Sequence, residues 1–295
     1  MTASVRLFVF GLGYSAGAFA RAMVPRAEWV GGTVRAPGRQ AGEAIATFAW
    51  DGTAPVAEVV GALAAATHLV VSVPPGEADP VLAHFAGVIS AAPHLAWIGY
   101  LSTVGVYGDY GGAWVGERTT PHPKSARARQ RLAAEEAWSA LAAERGVPQA
   151  VLRLAGIYGP GRNALINLAE GKAHRIVKPG QVFNRIHVDD IVQVLTATMA
   201  DNAAGLFNVA DDEPAPPQDV VAYAARLMGI DPPPEIAFDK AELSPMARSF
   251  YGDNKRVANA RIRRELGIAL RFPTYREGLG TLWRDGTWRL SAPAV

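Results

Sequence analysis

The feature that most constrains this chain is a glycine-containing turn near its N-terminus, Gly11-Leu12-Gly13-Tyr14-Ser15-Ala16. An apolar run from Val5 to Phe10 precedes the turn and predicts a buried strand, and the residues that follow predict a helix over 18–23. A Gly-x-Gly-x-x-Ala turn between a strand and a helix is typical of domains that bind dinucleotides. An ordinary strand-to-helix turn in a chain rich in Ala and Gly is the alternative.

The small residues of this turn each have a physical reason to be small. Gly11 allows the tight turn, Gly13 has no side chain to block a pyrophosphate, and Ala16 lets the helix pack against the strand. Tyr14 and Ser15 begin the helix, where main-chain N–H groups without partners favour an anion. We therefore predict that residues 11–16 bind the cofactor phosphates.

Strand and helix patterns alternate through the first half of the chain. The predicted strands are 5–10, 29–34, 47–50, 68–73 and 95–101, and further helices are predicted at 56–66, 81–91 and 125–135. This alternation predicts an α/β fold, a Rossmann-type doubly wound parallel sheet with a small C-terminal substrate-side domain. We expect residues 1–160 to form the dinucleotide-binding domain, with returning segments near 180–210, and 161–295 to form mostly the second domain.

Ligands of such sheets bind beyond the carboxyl ends of the strands. Arg35 ends the second strand about 20 residues after the glycine turn, where an NAD-specific protein usually has an acid. Arg35, with Arg39 nearby, suits a 2′-phosphate, so NADP is favoured over NAD; two solvated loop arginines are the alternative. Asp51 could accept a hydrogen bond from adenine or stabilise an Asp-Gly turn. Val73 and Pro74 end the fourth strand and are further cofactor-binding candidates.

Composition excludes several classes of function. The formal charge of +2 and the lack of a basic block interleaved with aromatic residues give no reason to expect nucleic acid as a partner. The chain has no cysteine, which excludes disulfides and thiol catalysis, and its six histidines show no metal-ligand spacing. No apolar stretch approaches the ~20 residues of a membrane span. We expect a cytoplasmic protein with a small-molecule substrate and no metal.

Several later segments together resemble one family. GYLSTVGVYGD (residues 99–109), LRLAGIYGPGRN (152–163), NRIHVDDI (184–191) and FNVADD (207–212) occur in this order. In this order they resemble the extended short-chain dehydrogenase/reductases, the NAD-dependent epimerase/dehydratase family. The resemblance runs from residue 5 to about residue 285 and implies a nicotinamide cofactor.

The family's catalytic residues carry over only in part. By the resemblance, Thr103 takes the place of a Ser or Thr that bonds the reacting oxygen; a threonine that only stabilises a turn is the alternative. The family's acid/base is a Tyr with a Lys four residues later on one helix. On the matching helix here, Arg127 and Arg131 stand at those positions, and arginine cannot exchange a proton at working pH. The chain therefore resembles an atypical branch without the active-site tyrosine.

Three interpretations of Arg127 and Arg131 stay open. They could bind an anionic substrate or a cofactor phosphate. They could lie on a solvated helix face, with Arg131 and Glu135 forming an i, i+4 ion pair. The alignment could also be displaced by one helical turn.

Other residues are candidates by the same resemblance. Tyr107 and His187 could transfer the proton, although both more often have structural roles. Arg162 and Asn163 would face the substrate, as would His187; a plain surface loop is the alternative for the first two. Asp189 and Asp190 fit a helix N-terminus, where negative charge is favourable.

These observations predict an NAD(P)-binding oxidoreductase or epimerase acting on an unidentified small molecule. Because the usual tyrosine is missing, a dinucleotide-binding sensor or regulator without catalytic activity is the alternative. The helix that carries Arg127 lies where the family often dimerises, so the resemblance also implies a homodimer.

Overall fold

The computed structural model describes residues 4–36 and 42–289. Its strands, in chain order, are β1 (Arg6–Phe10), β2 (Trp29–Val34), β3 (Ala46–Ala49), β4 (His68–Val71), β5 (Trp97–Thr103), β6 (Trp114–Val115), β7 (Gln149–Leu154), β8 (Gly156–Tyr158), β9 (Arg175–Val177), β10 (Arg185–His187), β11 (Gly205–Val209), β12 (Glu235–Ala237) and β13 (Arg256–Val257).

The α-helices of the same residues alternate with these strands in the first half of the chain. They are α1 (Tyr14–Met23), α2 (Ala57–Ala64), α3 (Pro80–Ala91), α4 (Ala126–Arg145), α5 (Ala164–Ala169), α6 (Val188–Ala200), α7 (Pro217–Met228), α8 (Pro245–Phe250), α9 (Ala260–Leu266) and α10 (Tyr275–Arg284). The predicted strand at 29–34 is confirmed with the same bounds.

The described part of the chain forms a seven-stranded sheet in the order β11-β7-β5-β4-β1-β2-β3. β1 pairs in parallel with both β2 and β4, so the chain direction across the sheet reverses at β1. This is the strand order of the doubly wound nucleotide-binding folds, whose ligands lie at that switch point. The predicted doubly wound α/β fold is confirmed.

Both faces of the central strands are buried. On one face, Phe8 and Phe10 of β1 pack in a cluster with Trp50, Phe85 of α3 and Trp138 of α4. Alternate residues point to opposite faces of a strand, so Leu7 and Val9, also fully buried, cover the other face. Apolar runs without alternation are expected where helices cover a parallel sheet on both sides.

Helix α4 is longer than predicted. It begins after Ser125, whose hydroxyl accepts a hydrogen bond from the N–H of Ala128, and ends at Gly146 in the left-handed conformation (φ +69°). The prediction stopped at residue 135, although the following residues, rich in Ala, Leu and Glu, are good helix formers.

Within the described residues the chain forms two compact units. The first comprises residues up to Val106, Pro123–Arg153 and Ile191–Phe207. The second comprises Tyr107–His122, Leu154–Asp190 and residues from Asn208 onward. The core of the second unit is built from β8, α5, α7 and α10, with Tyr158, Leu165, Ala224, Tyr275 and Leu279 at its centre.

Two features of the second unit differ from expectation. Helix α10 was not predicted, although Thr274 and Glu277 form a capping box at its start, which is a recognisable sequence signal. Asp190 lies in the first turn of α6 as predicted, but its carboxylate accepts hydrogen bonds from the N–H groups of Arg271 (2.6 Å) and Phe272 (3.1 Å). It therefore anchors a distant loop.

A buried ion pair fixes helix α4 to the sheet in the first unit. Arg153 of β7 donates to both carboxylate oxygens of Glu135, with Nη2 at 2.7 Å from Oε2 and Nε at 3.1 Å from Oε1. The hydroxyl of Ser102, on β5, donates to Oε1 of the same carboxylate. Both charged side chains are about 95 % buried, so the pair balances charges that would each be costly alone.

We expect removal of either partner to destabilise the protein strongly. Glu135→Leu and Arg153→Met should each lower the free energy of unfolding by about 3–5 kcal/mol, because each removes the opposite charge of a buried ion pair. The double variant should lose less than the sum of the two single losses. Urea unfolding of the four proteins measures this, and additive losses would contradict the role given to the pair.

Candidate functional site

The glycine turn after β1 has a geometry that only glycine permits at its first position. Gly11 has φ +88°, and a Cβ added there would lie 3.1 Å from Cγ2 of Val73. The N–H of Gly11 donates to the Thr33 hydroxyl at 2.8 Å, and the N–H of Leu12 donates to the Thr33 carbonyl at 2.8 Å. The turn is thus held between the ends of β2 and β4, at the switch point of the sheet.

The second glycine leaves open space at the start of α1. Gly13 is exposed and extended, and a Cβ added there would have only the Gly11 carbonyl oxygen nearby, at 4.0 Å. No side chain caps the first N–H groups of α1, and its first turn has no acidic residue. Ala16 and Ser15 are buried against the sheet. A helix start with these properties can receive an anion.

Further predicted cofactor residues lie at or near the same strand ends. Arg35 is exposed directly after β2, two residues beyond Thr33. Arg39, its predicted companion, lies outside the described residues. Pro74 is exposed and Val73 is half-buried, both shortly after β4.

Asp51 stabilises a local turn. Its carboxylate accepts hydrogen bonds from the Thr53 hydroxyl (2.7 Å) and the Thr53 N–H (2.9 Å), and these bonds hold the pKa of Asp51 below its usual range. The turn interpretation of Asp51 is therefore observed. Asp51 is exposed and thus accessible to a ligand, and its contact with adenine stays a prediction.

Thr103 ends β5 at the same edge of the sheet. Its hydroxyl oxygen accepts a hydrogen bond from the N–H of Gly105 at 3.1 Å and so stabilises the following turn, Val104–Tyr107. Accepting this bond leaves the O–H hydrogen of Thr103 as a donor. The side chain is half-buried, so the turn-stabilising role and a contact to a ligand oxygen are compatible.

Arg131 is fixed against the end of β5. Its Nη1 donates to the carbonyl of Leu101 at 2.9 Å and to the hydroxyl of Tyr100 at 3.3 Å, and its guanidinium lies 5.7 Å from the Tyr100 ring centre. Burial raises the pKa of Tyr100 to about 12, so this phenol stays protonated. The ion pair between Arg131 and Glu135, which belonged to one of the three open interpretations, is contradicted, because Glu135 binds Arg153.

Arg127 lies one helical turn before Arg131 and is exposed. Among residues 4–36 and 42–289 it has no hydrogen-bond or ion-pair partner.

No Tyr-x-x-x-Lys pair lies on α4, but Tyr251 and Lys255 have this spacing elsewhere, which sequence reasoning missed. Tyr251 follows the short helix α8, and the Lys255 ammonium donates to the Gly108 carbonyl at 2.6 Å, so the two do not form a pair on one helix face.

The second unit holds both predicted proton-transfer residues in buried positions. Tyr107 is fully buried and its hydroxyl donates to Asn208 Oδ1 at 2.8 Å. His187 is 1 % exposed, with its ring 4.1 Å from Phe272 and 5.1 Å from Tyr158 between ring centres. Burial lowers the pKa of His187 to about 4, so the imidazole is neutral at pH 7. Its Nδ1 accepts from the N–H of Asp189 at 3.2 Å.

The predicted substrate loop is held by the C-terminal part of the second unit. Asn163 caps α5 by accepting from the N–H of Ile166, and its amide donates to the carbonyls of Gly159 (2.8 Å) and Trp288 (2.7 Å). It is 7 % exposed, so its polar atoms serve the fold. Arg162, beside it, is exposed.

Sequence reasoning missed a buried acid in this unit. Asp211 is 1 % exposed, and its Oδ2 has no hydrogen-bond partner among the described residues. Burial raises the pKa of Asp211 to about 8, and the nearby Arg185 opposes this shift. Asp211 comes shortly after an apolar strand, which is the only sequence signal for its position. The pattern does not indicate that its carboxylate is buried.

Two searches of residues 4–36 and 42–289 were negative. No group of three or more His, Asp or Glu side chains could hold a metal ion. No helix in this part of the chain is long and apolar enough to span a bilayer.

Comparison with known proteins finds a family match over part of the chain. The family model for the NAD dependent epimerase/dehydratase family matches residues 88–210. A 3-diazoavenalumate denitrifying reductase from a Streptomyces species is 31 % identical over 141 residues, 44 % of this chain and 45 % of that protein. Protein YeeZ from Escherichia coli K12 is 31 % identical over 59 % of this chain and 58 % of its own length. The chain thus matches about half the length of these curated relatives.

Among solved structures, a functionally unknown conserved protein from Silicibacter pomeroyi is 48 % identical, with a TM-score of 0.85, and the match covers 95 % of this chain and 98 % of that one. Residues 88–210 of the chain thus match the NAD-dependent epimerase/dehydratase family, the family that the sequence motifs resemble. The resemblance predicted from the sequence is confirmed. Its assignment to a branch without the active-site tyrosine stays a prediction.

The burial of His187 predicts a pH dependence of stability. Below pH 6.5 the unfolded chain binds a proton on His187, whereas the folded protein binds this proton only near pH 4. The free energy of unfolding therefore decreases as the pH is lowered through this window. Between pH 7.5 and 5 this residue should account for a loss of about 2 kcal/mol. Urea unfolding of His187→Gln should show a correspondingly smaller loss.

The exposed His94 supplies the control. His94→Gln should keep the pH dependence of the parent protein. An equal pH dependence in the parent protein and His187→Gln would contradict the burial of a neutral His187.

Proposed function

We propose that this protein binds NADP(H) in preference to NAD(H) at the edge formed by the ends of β1, β2 and β4, and catalyses the reduction or oxidation of a small molecule. The observation that carries the proposal is the start of α1. There Gly13 leaves open space in front of N–H groups that no side chain caps. A pyrophosphate fits such a place, because it is anionic and must approach the main chain closely.

Arg35 supports the choice of NADP(H). It follows β2, the strand whose Thr33 holds the glycine turn, and it is exposed. A guanidinium can donate two parallel hydrogen bonds to a phosphate, whereas an NAD-specific site has an acid here for the ribose hydroxyls. Asp51 and Pro74 complete the proposed cofactor contacts, with Val73 packed against Gly11.

A bound nicotinamide would supply hydride donation or acceptance. The chain's own contribution at the reacting atoms is the Thr103 hydroxyl, which can donate a hydrogen bond to a carbonyl or alcohol oxygen. The geometry gives little support to Tyr107 or His187 as proton donors, because both are buried and a His187 with a pKa of about 4 holds no extra proton at pH 7. We therefore propose that water supplies the proton and that positioning provides most of the rate enhancement.

One curated relative supports reduction over epimerisation. The relative at 31 % identity that carries an activity in its name is a reductase. A dTDP-glucose 4,6-dehydratase from Bacillus anthracis, which was solved in complex with NAD, shares the fold with a TM-score of 0.75 at 15 % identity, over 96 % of this chain and 97 % of that one. The exposed Arg162 is a further proposed substrate contact.

A sensor that binds the dinucleotide without chemistry is the second candidate. It is favoured by the arginine that replaces the usual acid/base on α4 and by the burial of both Tyr107 and His187. The two candidates share the cofactor site and differ only in turnover. Oxidation of bound NADPH by a panel of carbonyl compounds separates them, with Thr103→Ala as the variant expected to lose activity.

Titration with NADPH and NADH tests the cofactor assignment, followed by tryptophan fluorescence. The parent protein should bind NADPH more tightly than NADH. Arg35→Ala should weaken NADPH binding about tenfold and leave NADH binding nearly unchanged, because a charge-assisted hydrogen bond contributes about 1.5–3 kcal/mol. Arg26→Ala, another exposed arginine, should change neither affinity. Equal affinity for both nucleotides overturns the choice of NADP(H), and failure of both to bind overturns the cofactor site.

A further inference from the structure

The start of helix α4 carries a cluster of positively charged side chains. Residues 124–131 contain four cationic side chains and no acidic one. The next acid along the helix, Glu135, is buried and bound to Arg153, so it does not offset this charge at the surface. Two of the four, Arg127 and Arg131, lie four residues apart and share a helix face.

The position of Arg131 is set by three contacts. Its Nη1 binds the carbonyl of Leu101 and the hydroxyl of Tyr100, and its guanidinium lies over the Tyr100 ring. These contacts leave Nε and Nη2 of the guanidinium as donors. Because Leu101 is two residues before Thr103 on β5, this cation is fixed beside the strand end that carries the proposed substrate hydroxyl contact.

Arg127 adds a second cation at the same place. One helical turn separates it from Arg131, a rise of about 6 Å along the axis. Among the residues that the structure describes, no acid or carbonyl binds its guanidinium, and the side chain is exposed. Like charges at this spacing repel and weaken a helix, whereas an anion between or beside them would relieve that repulsion.

We propose that Arg127 and Arg131 bind an oxyanionic group of the substrate, a carboxylate or a phosphoryl group, at the end of β5. The substrate is then an organic anion whose charge lies close to the atom that reacts beside Thr103. This inference rests on the proposed function, since Thr103 marks the reacting atom there. The phosphates of the cofactor have the same chemistry and are the competing source of an anion.

Binding of simple probes tests the inference. The probes are benzoate and phenyl phosphate, with benzamide as the neutral isostere, each titrated into the protein saturated with NADP⁺. The readout is the NMR signals of the arginine Nε–H groups. Benzoate or phenyl phosphate should shift the signals of Arg127 and Arg131 with millimolar affinity, and benzamide should not. Arg127→Gln should weaken this binding at least fivefold.

Arg129 provides the matched control on the same helix. Its Nη1 donates to the Lys124 carbonyl at 2.7 Å, and it lies off the face that Arg127 and Arg131 share. Arg129→Gln should leave probe binding unchanged. Equal loss in Arg127→Gln and Arg129→Gln would overturn a specific site and indicate only a diffuse positive field. Benzamide binding with the affinity of benzoate would overturn recognition of the negative charge.

The cofactor measurements separate this inference from the proposed function. Arg127→Gln should bind NADPH with the affinity of the parent protein. If it binds NADPH more weakly, and NADP⁺ abolishes probe binding to the parent protein, the arginines bind cofactor phosphate and the inference fails. If the parent protein binds no nucleotide, the proposed function fails, and probe titration without nucleotide still decides whether the arginines form an anion site.

Discussion

The first unit depends on a single buried carboxylate. Glu135 accepts hydrogen bonds from Arg153 on β7 and from Ser102 on β5, and so joins helix α4 to two neighbouring strands. Without these partners the carboxylate would be an uncompensated buried charge, which is strongly destabilising. With them, α4 has one register on the sheet, and that register fixes where Arg131 and Arg127 lie relative to the end of β5.

Two features at the same edge of the sheet could each bind an anion. At the switch point, Gly11 and Gly13 leave main-chain N–H groups accessible in front of α1. At the end of β5, Arg131 is fixed by Tyr100 and the main chain. The first arrangement uses the absence of side chains, and the second uses permanent charge. We propose that the first arrangement holds the cofactor phosphates and that the second holds a charged group of the substrate.

The local parts of this structure were predictable from the sequence. The β1 strand, the glycine turn and α1 follow from short-range patterns, because strand, turn and helix signals there are contiguous. The partner of Glu135 was not predictable, since i, i+4 spacing favoured Arg131 and only the fold brings Arg153 into contact. The burial of His187 likewise depends on Phe272, far along the chain. Helix α10 could have been found from Thr274 and Glu277.

The central claim is that the glycine turn receives the pyrophosphate of a dinucleotide, and Gly13→Val tests it most directly. The backbone at Gly13 is extended and the space beside it is open, so valine should leave the melting temperature nearly unchanged. Its side chain would occupy the place of the phosphate, so NADPH affinity should fall at least a hundredfold, whereas Gly87→Val, at an exposed glycine of α3 with open space, should bind normally. Unchanged NADPH binding by a folded Gly13→Val protein would contradict the account.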